Sequence, residues 1–350
     1  MIMFPETYVK DFHDVDCIKK MDYRTLGDTG LMVSKLSLGL SAMGSVYRAT
    51  DDSHSWDVVE HAIKSGINWI DGAPWYGHGK AETVFGEAIQ KKQIPRKAFY
   101  LATKVGRYAP DIENMFDFSA ERVTQSVDES LKRLGVDYID LIQVHDMEFA
   151  PSVDIIVNET LPALQKLKES GKVKMIGITG YPLELFKTVI DRSSVKIDAI
   201  LTYCHYCLND TSLLKMLPYF ESKKIAVINA SPTGMGLLTN RGTPSWHPAT
   251  EEIKASCRKA AEYCEKEGVD ISKLALHFTC SNPDIPTTLV STASLVNLKN
   301  NLHSVLNNLT DHEREVMKTV QEKYLKEIAN QTWEDIEVTQ YWNKLNSIQK

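Results

Sequence analysis

Four ionisable side chains of different types, Asp71, Tyr76, Lys104 and His145, stand at or near the ends of short apolar segments of this sequence. Asp71 directly follows the apolar run 67–70, and Tyr76 comes shortly after it, beyond a Gly and a Pro. Lys104 and His145 each follow a further apolar run. Each residue has a plainer explanation by itself, such as a solvated lysine or a structural histidine, so their convergence is the feature that favours a catalytic site.

Together the four groups suit proton transfer to or from an oxygen atom. A phenol with a pKa of ~10 is a poor acid near neutral pH, but a nearby lysine ammonium stabilises the phenolate and a carboxylate holds that lysine in place. We expect this to lower the pKa of Tyr76 by about 2–3 units, which corresponds to about 3–4 kcal/mol. His145 would donate a hydrogen bond to a carbonyl oxygen and orient it. Because no side chain delivers hydride, a nicotinamide cofactor would have to do so.

A regular alternation of strand and helix patterns would position these residues. Eight short apolar segments are predicted as strands, and most are followed by apolar residues at helical spacing. The predicted strands are 36–40, 67–70, 100–103, 138–144, 174–178, 199–202, 226–229 and 287–290. Eight such units predict an α/β fold, a (β/α)8 TIM barrel, whose functional groups gather at the carboxyl ends of the strands. The four ionisable residues would then share one rim.

The segments outside this alternation define the ends of the predicted barrel domain. Residues 23–38 are predicted to form a β-hairpin, because Gly27-Asp28-Thr29-Gly30 supplies turn residues between two short strands. Residues 1–22 are predicted as a polar N-terminal extension and residues 23–310 as the barrel domain. Residues 311–350 are predicted as a C-terminal helical tail outside the barrel.

The composition indicates a globular protein and argues against several functional classes. Of 350 residues, 43% are hydrophobic and 25% are charged, and the net charge of −6 argues against a general nucleic-acid surface. No signal-peptide pattern and no apolar run long enough for a membrane span occur, so a cytoplasmic protein with six reduced cysteines is expected. Cys204 and Cys207 have no second pair or histidine cluster, so no metal site is predicted. The loop 39–44 lacks the G-x-G-x-x-G fingerprint of a Rossmann site.

Several motifs resemble those of the aldo-keto reductase superfamily, over roughly residues 22–310. They are YRTLGDTGLMVSKLSLG, GINWIDGAPWYG, ATKVGRY, ESLKRLGVDYIDLIQVH and GKVKMIGITG. The resemblance implies that Asp71, Tyr76, Lys104 and His145 match that family's catalytic tetrad. Within the superfamily the sequence looks most like the plant-type L-galactose dehydrogenase branch, through FDFSAERV, HDMEFA, GITGYPL, YCHYCLND, INASPTGMGLLT and WHPAT.

The resemblance also implies a set of cofactor contacts. The matching residues are Thr179, Gly180, Tyr203, Ser231, Thr233, Gly236, Leu237, Ser291, Ala293, Asn297, Asn300 and Asn301. Many family members carry an aromatic residue, a Ser-Asn pair and a Gln around the nicotinamide. At those positions this sequence has Ala230, Thr179-Gly180 and Tyr203. We expect Tyr203 or a nearby ring to take over the packing, and residues 231–236 to line the pyrophosphate.

The loop after the eighth strand bears on the choice between NAD and NADP. Relatives that prefer NADPH carry basic residues at the positions of Ser291 and Asn297, where they pair with the 2′-phosphate. Both residues are neutral here, and each missing charge-assisted contact forgoes about 1.5–3 kcal/mol. We therefore expect NAD to be favoured over NADP. Lys299 is the basic side chain of this loop that would compensate for the two neutral residues.

Aromatic and acidic residues in the loops above the rim are candidates for a substrate site. They are Trp75, Tyr108, Asp146 and Trp246, a combination that suits a polyol or a sugar. For Trp246, packing within its loop is an equal alternative. His205 is expected to be a hydrogen-bonding residue of the core or rim.

These observations favour an NAD(P)-dependent oxidoreductase acting on a sugar-like hydroxyl or carbonyl group, such as an aldose 1-dehydrogenase that yields a lactone. Two alternatives stay open. One is an NADPH-dependent carbonyl reductase of aldehydes or ketones, and the other is a non-catalytic cofactor-binding subunit of a kind that the superfamily also contains. The expected partner is a small-molecule substrate, not nucleic acid or membrane, and the protein is expected to be a monomer.

Overall fold

A computed structural model of the protein describes residues 4–348 and contains the predicted hairpin and barrel. The hairpin consists of β1 (Tyr23–Thr25) and β2 (Met32–Ser34), which pair antiparallel. The barrel is closed and parallel, and its strands in order are β3 (Leu36–Gly39), β4 (Trp69–Asp71), β5 (Tyr100–Val105), β6 (Ile139–Val144), β7 (Val173–Gly180), β8 (Ala199–Tyr203), β9 (Ala226–Ala230) and β10 (Thr287–Ser291). The predicted (β/α)8 fold is confirmed.

Helices surround the barrel and continue beyond it. They are α1 (Val15–Lys20), α2 (Asp52–Lys64), α3 (Lys80–Lys91), α4 (Ala120–Leu134), α5 (Val153–Ile155), α6 (Leu161–Glu169), α7 (Leu183–Arg192), α8 (Leu217–Ser222), α9 (Glu251–Lys266), α10 (Ile271–Ser281), α11 (Leu295–Leu306), α12 (Asp311–Thr319) and α13 (Ile336–Ile348). A π-helical segment joins α5 to α6. Between residues 4 and 348, no helix has both the length and the apolar character needed to cross a bilayer.

The hairpin closes the lower end of the barrel. Trp69 and Leu141 from the strands share a buried cluster with Leu26, which precedes the hairpin turn. The turn approaches so closely that a Cβ on Gly27 would lie 2.7 Å from the Cα atom of Ala226, the first residue of β9. The hairpin thus fills the mouth at the amino ends of the strands, and the mouth at their carboxyl ends is the one available to ligands.

The N-terminal extension is part of the packed structure. Nδ2 of Asn68 donates a hydrogen bond to Oγ1 of Thr7 at 3.0 Å, and both residues are buried. Asp14 caps α1, because its carboxylate accepts hydrogen bonds from the first backbone N–H groups of that helix. The segment before the hairpin therefore packs against the start of β4.

The C-terminal segment runs back to the barrel mouth. Trp333 is buried and stacks on Tyr181, with the ring centroids 4.8 Å apart. Tyr341 of α13 packs edge-on against Phe116 and Phe149, at centroid distances of 5.1 and 5.6 Å. Phe149 follows β6 at the carboxyl end of the strands, so α13 lies beside the rim. The sequence predicted a helical tail outside the barrel, and it gave no position for that tail relative to the mouth.

Candidate active site

Asp71, Lys104 and His145 meet because they lie on neighbouring parallel strands. Asp71 is the last residue of β4, which pairs with β5, and Lys104 on β5 pairs with Gln143 on β6. His145 follows β6 directly, and Tyr76 lies in the loop between β4 and α3. Asp71 and Lys104 are inside their strands, not beyond them as we expected. The structure brings all four predicted residues to one rim.

Lys104 and Asp71 form a buried ion pair below the rim. The two residues are 1% and 2% exposed, and Nζ of Lys104 donates to Oδ1 of Asp71 and to the carbonyl oxygen of Gly72. Nε2 of Gln143 donates to the second carboxylate oxygen of Asp71 at 2.8 Å, which fixes the carboxylate from the other side. Burial opposes the lysine charge, but Asp71 outweighs it and holds the pKa of Lys104 above its ordinary value.

Tyr76 lies next to this ion pair. Nζ of Lys104 is 5.1 Å from the centroid of the Tyr76 ring, and the ring of His145 packs edge-on against it at 5.8 Å between centroids. Burial raises the pKa of Tyr76, and the positive charge of Lys104 opposes this only in part. The direction is opposite to the lowering expected from the sequence. The loss of water around a phenolate outweighs the attraction of an ammonium that is already paired with Asp71.

His145 presents a neutral imidazole at the same rim. The residue is 6% exposed, and burial lowers the pKa of His145 to about 3. Nε2 lies 3.4 Å from Oδ2 of Asp146, whereas Nδ1 is buried and has no hydrogen-bond partner in the described part of the chain. A neutral imidazole with an unused nitrogen suits hydrogen bonding to a substrate oxygen.

Two glycines hold the Tyr76 loop against the loop that follows β3. A Cβ on Gly44 would clash with the carbonyl group of Tyr76, and a Cβ on Gly77 would clash with the carbonyl group of Gly44. Gly77 also has a φ of 67°, which is unfavourable for other residues. The close approach of these two loops fixes the backbone that carries the phenol.

Two cavities border Tyr76 and open into one cleft at the barrel mouth. One, of about 510 Å³, has nearly half of its lining from the loop between residues 231 and 244, and we call it the loop groove. The other, of about 700 Å³, is lined by Tyr76, Lys104 and His145 together with the surrounding loops, and we call it the tetrad pocket. A cleft of this size has room for an elongated ligand beside a small one.

The loop groove has features that fit the pyrophosphate of a nicotinamide dinucleotide. Arg48 and Arg241 line it, are exposed, and make no ion pair within residues 4–348. Gly236 has a φ of 112°, and a Cβ there would lie 2.8 Å from the carbonyl oxygen of Gly242. Glycine at this position lets the backbone come close to a ligand. Two unpaired guanidinium groups beside exposed backbone suit phosphate oxygens.

The cofactor residues predicted from the sequence fall into two groups. Those that line the cleft are Thr179, Tyr203, Ser231, Thr233, Gly236 and Ser291. Those outside its lining are Gly180, Leu237, Ala293, Asn297, Asn300 and Asn301. Leu237 is buried in an apolar cluster, whereas Asn297 and Asn300 lie on the exposed face of α11. The asparagines stay predictions for contacts beyond the groove.

Most of the predicted substrate residues border the tetrad pocket. These are Trp75, Asp146 and Trp246. Tyr108 lies outside its lining, because its hydroxyl accepts a hydrogen bond from the backbone N–H of Gly106 at 2.8 Å. The guanidinium of Arg122 also stacks on its ring, 3.9 Å from the centroid. Tyr108 therefore serves its own loop and is a poor candidate for a substrate contact.

Sequence reasoning missed two charged residues of the tetrad pocket, Arg107 and Glu337. The guanidinium of Arg107 lies 4.1 Å from the centroid of the Trp75 ring and donates to Oδ2 of Asp146 at 2.5 Å. Arg107 follows Lys104 closely in the motif ATKVGRY, so its place near the rim was readable from the sequence. Glu337 enters from α13, and no local pattern signals that contact.

Comparisons with known proteins agree with the fold. The Aldo/keto reductase family model matches residues 35–323. An L-galactose dehydrogenase from Arabidopsis thaliana is 44% identical, over 90% of this chain and 97% of its own length. A D-arabinose 1-dehydrogenase from Saccharomyces cerevisiae is 31% identical, over 86% of this chain and 93% of its own. The solved structure of an aldo-keto reductase from Bacillus halodurans has a TM-score of 0.68 at 26% identity, covering 87% of this chain and 99% of that one. The chain belongs to the aldo/keto reductase family.

Proposed function

We propose that the protein is a nicotinamide-dependent dehydrogenase that oxidises the anomeric hydroxyl group of an aldose to a lactone. The observation that carries this proposal is the position of Tyr76, which borders both the loop groove and the tetrad pocket and lies beside Lys104 and His145. A dinucleotide in the groove and a small substrate in the pocket would meet at this phenol. The two sugar dehydrogenases similar in sequence support an aldose as the substrate.

Each residue of the tetrad has a separate task in this reaction. The nicotinamide ring, when bound, accepts the hydride that leaves the anomeric carbon. Tyr76, as phenolate, takes the proton of the anomeric hydroxyl group while the carbonyl of the lactone forms. Lys104 stabilises the phenolate, and Asp71 holds Lys104 in place. His145 donates a hydrogen bond to the substrate oxygen and so orients it.

The walls of the tetrad pocket support a hydroxyl-rich substrate. Trp75 and Trp246 offer aromatic faces, Asp146 offers carboxylate oxygens, and Arg107 offers N–H donors. Carboxylates accept and guanidinium groups donate hydrogen bonds, so the pair can serve both functions of a sugar hydroxyl group. An aldehyde with a plain hydrocarbon chain would make no use of these donors and acceptors.

Aldoses assayed with NAD and with NADP, followed at the absorbance of the reduced nicotinamide, test the proposed function. We expect turnover of L-galactose or a stereochemically related aldose. Turnover restricted to simple aldehydes and ketones with NADPH would instead favour a carbonyl reductase. Nucleotide binding without turnover of either class would favour a non-catalytic subunit.

We propose NAD as the preferred cofactor, on the basis of the neutral residues after β10. Oγ of Ser291 already accepts a hydrogen bond from the backbone N–H of Ala42 at 2.8 Å, and Asn297 carries no charge. Neither residue can form an ion pair with the 2′-phosphate that distinguishes NADP from NAD. The nucleotide preference is therefore expected to depend on charge in the first turn of α11.

A charge introduced at Asn297 tests this preference. Asn297→Arg is expected to raise the affinity for NADP relative to NAD by about tenfold, because it adds a charge-assisted hydrogen bond worth about 1.5–3 kcal/mol. Fluorescence titration with both nucleotides measures the ratio. Asn308→Arg, which adds the same charge just beyond the other end of α11, is the control and should leave the ratio unchanged. An equal response of both variants would contradict the assignment.

We further propose that the protein acts as a monomer in the cytoplasm. The monomer is expected from the resemblance, because monomers are usual in this superfamily. The six cysteines are free, as expected for a reducing compartment. Light scattering of the purified protein tests the first statement, and fractionation of the source cells tests the second.

A further inference from the structure

Not every charged residue of the tetrad pocket has an oppositely charged partner. Lys104 is paired with Asp71, and Arg107 is paired with Asp146. Glu337 lines the same pocket, is half-buried, and makes no hydrogen bond or ion pair within residues 4–348. One carboxylate is thus left without a cation. The loop groove has the opposite character, since its two arginines are the unpaired charges.

The position of Glu337 is set by the packing of α13 on the rim. Tyr341, one turn further along the helix, packs edge-on against the stacked rings of Phe116 and Phe149. Burial raises the pKa of Glu337, and the charge of Arg107 acts in the other direction. Glu337 lies beyond residues 35–323, which match the family model, so it belongs to the C-terminal helix and not to the shared barrel.

Two buried nitrogen atoms of residues that line the same pocket have no hydrogen-bond partner in the described part of the chain. Nδ1 of His145 and Nε of Arg107 are both buried and unbonded in the described residues. Buried nitrogen atoms are rarely left unbonded in folded proteins, because each loses its hydrogen bonds to water. Neither atom is open to the pocket, whereas Glu337 lines it, and a ligand with hydroxyl groups is able to donate hydrogen bonds to that carboxylate.

We propose that Glu337 makes the tetrad pocket selective for uncharged sugars over sugar acids and sugar phosphates; this selectivity rests on the proposed oxidation of an aldose. The Glu337 carboxylate accepts hydrogen bonds from sugar hydroxyl groups remote from the reacting carbon. A carboxylate or phosphate on the substrate would face both Glu337 and Asp146, while both cations of the pocket are already paired. Like charges in a partly desolvated site repel, and such repulsion is a common source of specificity.

The test compares three substrates that differ at one carbon: L-galactose, 6-deoxy-L-galactose and L-galacturonate. The measured quantity is the ratio of kcat/KM for the uronate to that for the deoxy sugar, which cancels general damage to the enzyme. Glu337→Gln, which keeps the shape of the side chain, is expected to raise this ratio by about tenfold. Glu337→Lys is expected to raise it further. Glu334→Gln removes an exposed charge just before α13 and is the matched control, which should leave the ratio unchanged.

The outcomes distinguish a failure of this inference from a failure of the proposed function on which it rests. Turnover of the neutral sugars by the wild type, with a ratio that rises only in the Glu337 variants, supports the selectivity. An unchanged ratio in both folded Glu337 variants, or an equal rise in the Glu334 control, overturns it and leaves the proposed function intact. If the wild type oxidises no aldose at all, the proposed function fails and this inference fails with it.

Discussion

Burial sets the protonation states of the tetrad more strongly than the neighbouring charges do. It keeps His145 neutral, with a pKa of about 3, and it raises the pKa of Tyr76 in spite of Lys104. Lys104 keeps its charge in spite of burial, because Asp71 is in direct contact with it. The free protein therefore holds a protonated phenol and a charged lysine, and oxidation requires the phenol to lose its proton first.

The pH dependence of aldose oxidation follows from these states. Oxidation needs the phenolate of Tyr76, whose fraction increases with pH, so kcat/KM is expected to rise towards the alkaline end. His145 does not titrate above a pKa of about 3, so no inflection is expected near the ordinary histidine value of ~6.5. Rates between about pH 5 and about pH 10 measure both features. An inflection near neutrality that disappears in His145→Gln would contradict the neutral imidazole.

At the residue scale, the sequence was informative where function depends on strand ends and uninformative where it depends on distant packing. Asp71, Lys104 and His145 were recognisable because each ends or follows an apolar run. The raised pKa of Tyr76 was not predictable, because burial depends on loops whose positions the sequence does not define. The orientation of Tyr108 was not predictable for a similar reason, since its hydroxyl group turns back to its own loop.

The loop that carries Tyr76 is held by contacts that only glycine permits. Gly44→Ala is expected to displace the Tyr76 backbone, because the added Cβ would meet the carbonyl group of that residue. A displacement of this kind typically lowers kcat by about 10- to 100-fold. Steady-state kinetics and a thermal melt measure the effect. We expect a large loss of kcat with only a small decrease in melting temperature.

A glycine with open surroundings provides the control for Gly44→Ala. Gly171 has a φ of 82° and no atom within 4 Å of an added Cβ, so Gly171→Ala strains only its own backbone. It should lower stability without lowering kcat. If Gly44→Ala retains wild-type kcat, the glycine contact does not position the phenol.

Helices and strands were predictable to different degrees. Helices follow most of the predicted strands, as the alternating pattern indicated, and Ser119 caps α4 by accepting a hydrogen bond from the backbone N–H of Arg122. The observed strand bounds differ from the predicted ones by one or two residues, so Asp71 and Lys104 lie inside β4 and β5. The position of α13 was out of reach, because it depends on aromatic contacts between residues more than two hundred positions apart in the chain.

At the scale of the whole molecule, one barrel mouth is closed by the hairpin and the other contains the tetrad. The hairpin fills the lower end, so we expect ligand and tetrad to meet in the cleft at the upper end. The cleft has two electrostatic halves, with unpaired arginines in the loop groove and an unpaired carboxylate in the tetrad pocket. This division matches a phosphate-bearing cofactor beside an uncharged substrate.

The central claim is that Tyr76 moves the proton while a nicotinamide in the adjoining groove takes the hydride. Replacing Tyr76 with Phe removes one oxygen atom and keeps the ring that packs against His145. The most direct measurement is the rate of nicotinamide reduction by wild type and Tyr76→Phe with the preferred aldose, beside the Kd of each protein for the nucleotide. We predict a loss of kcat of about a thousandfold or more with an unchanged Kd. Retention of wild-type kcat in the variant would contradict the claim.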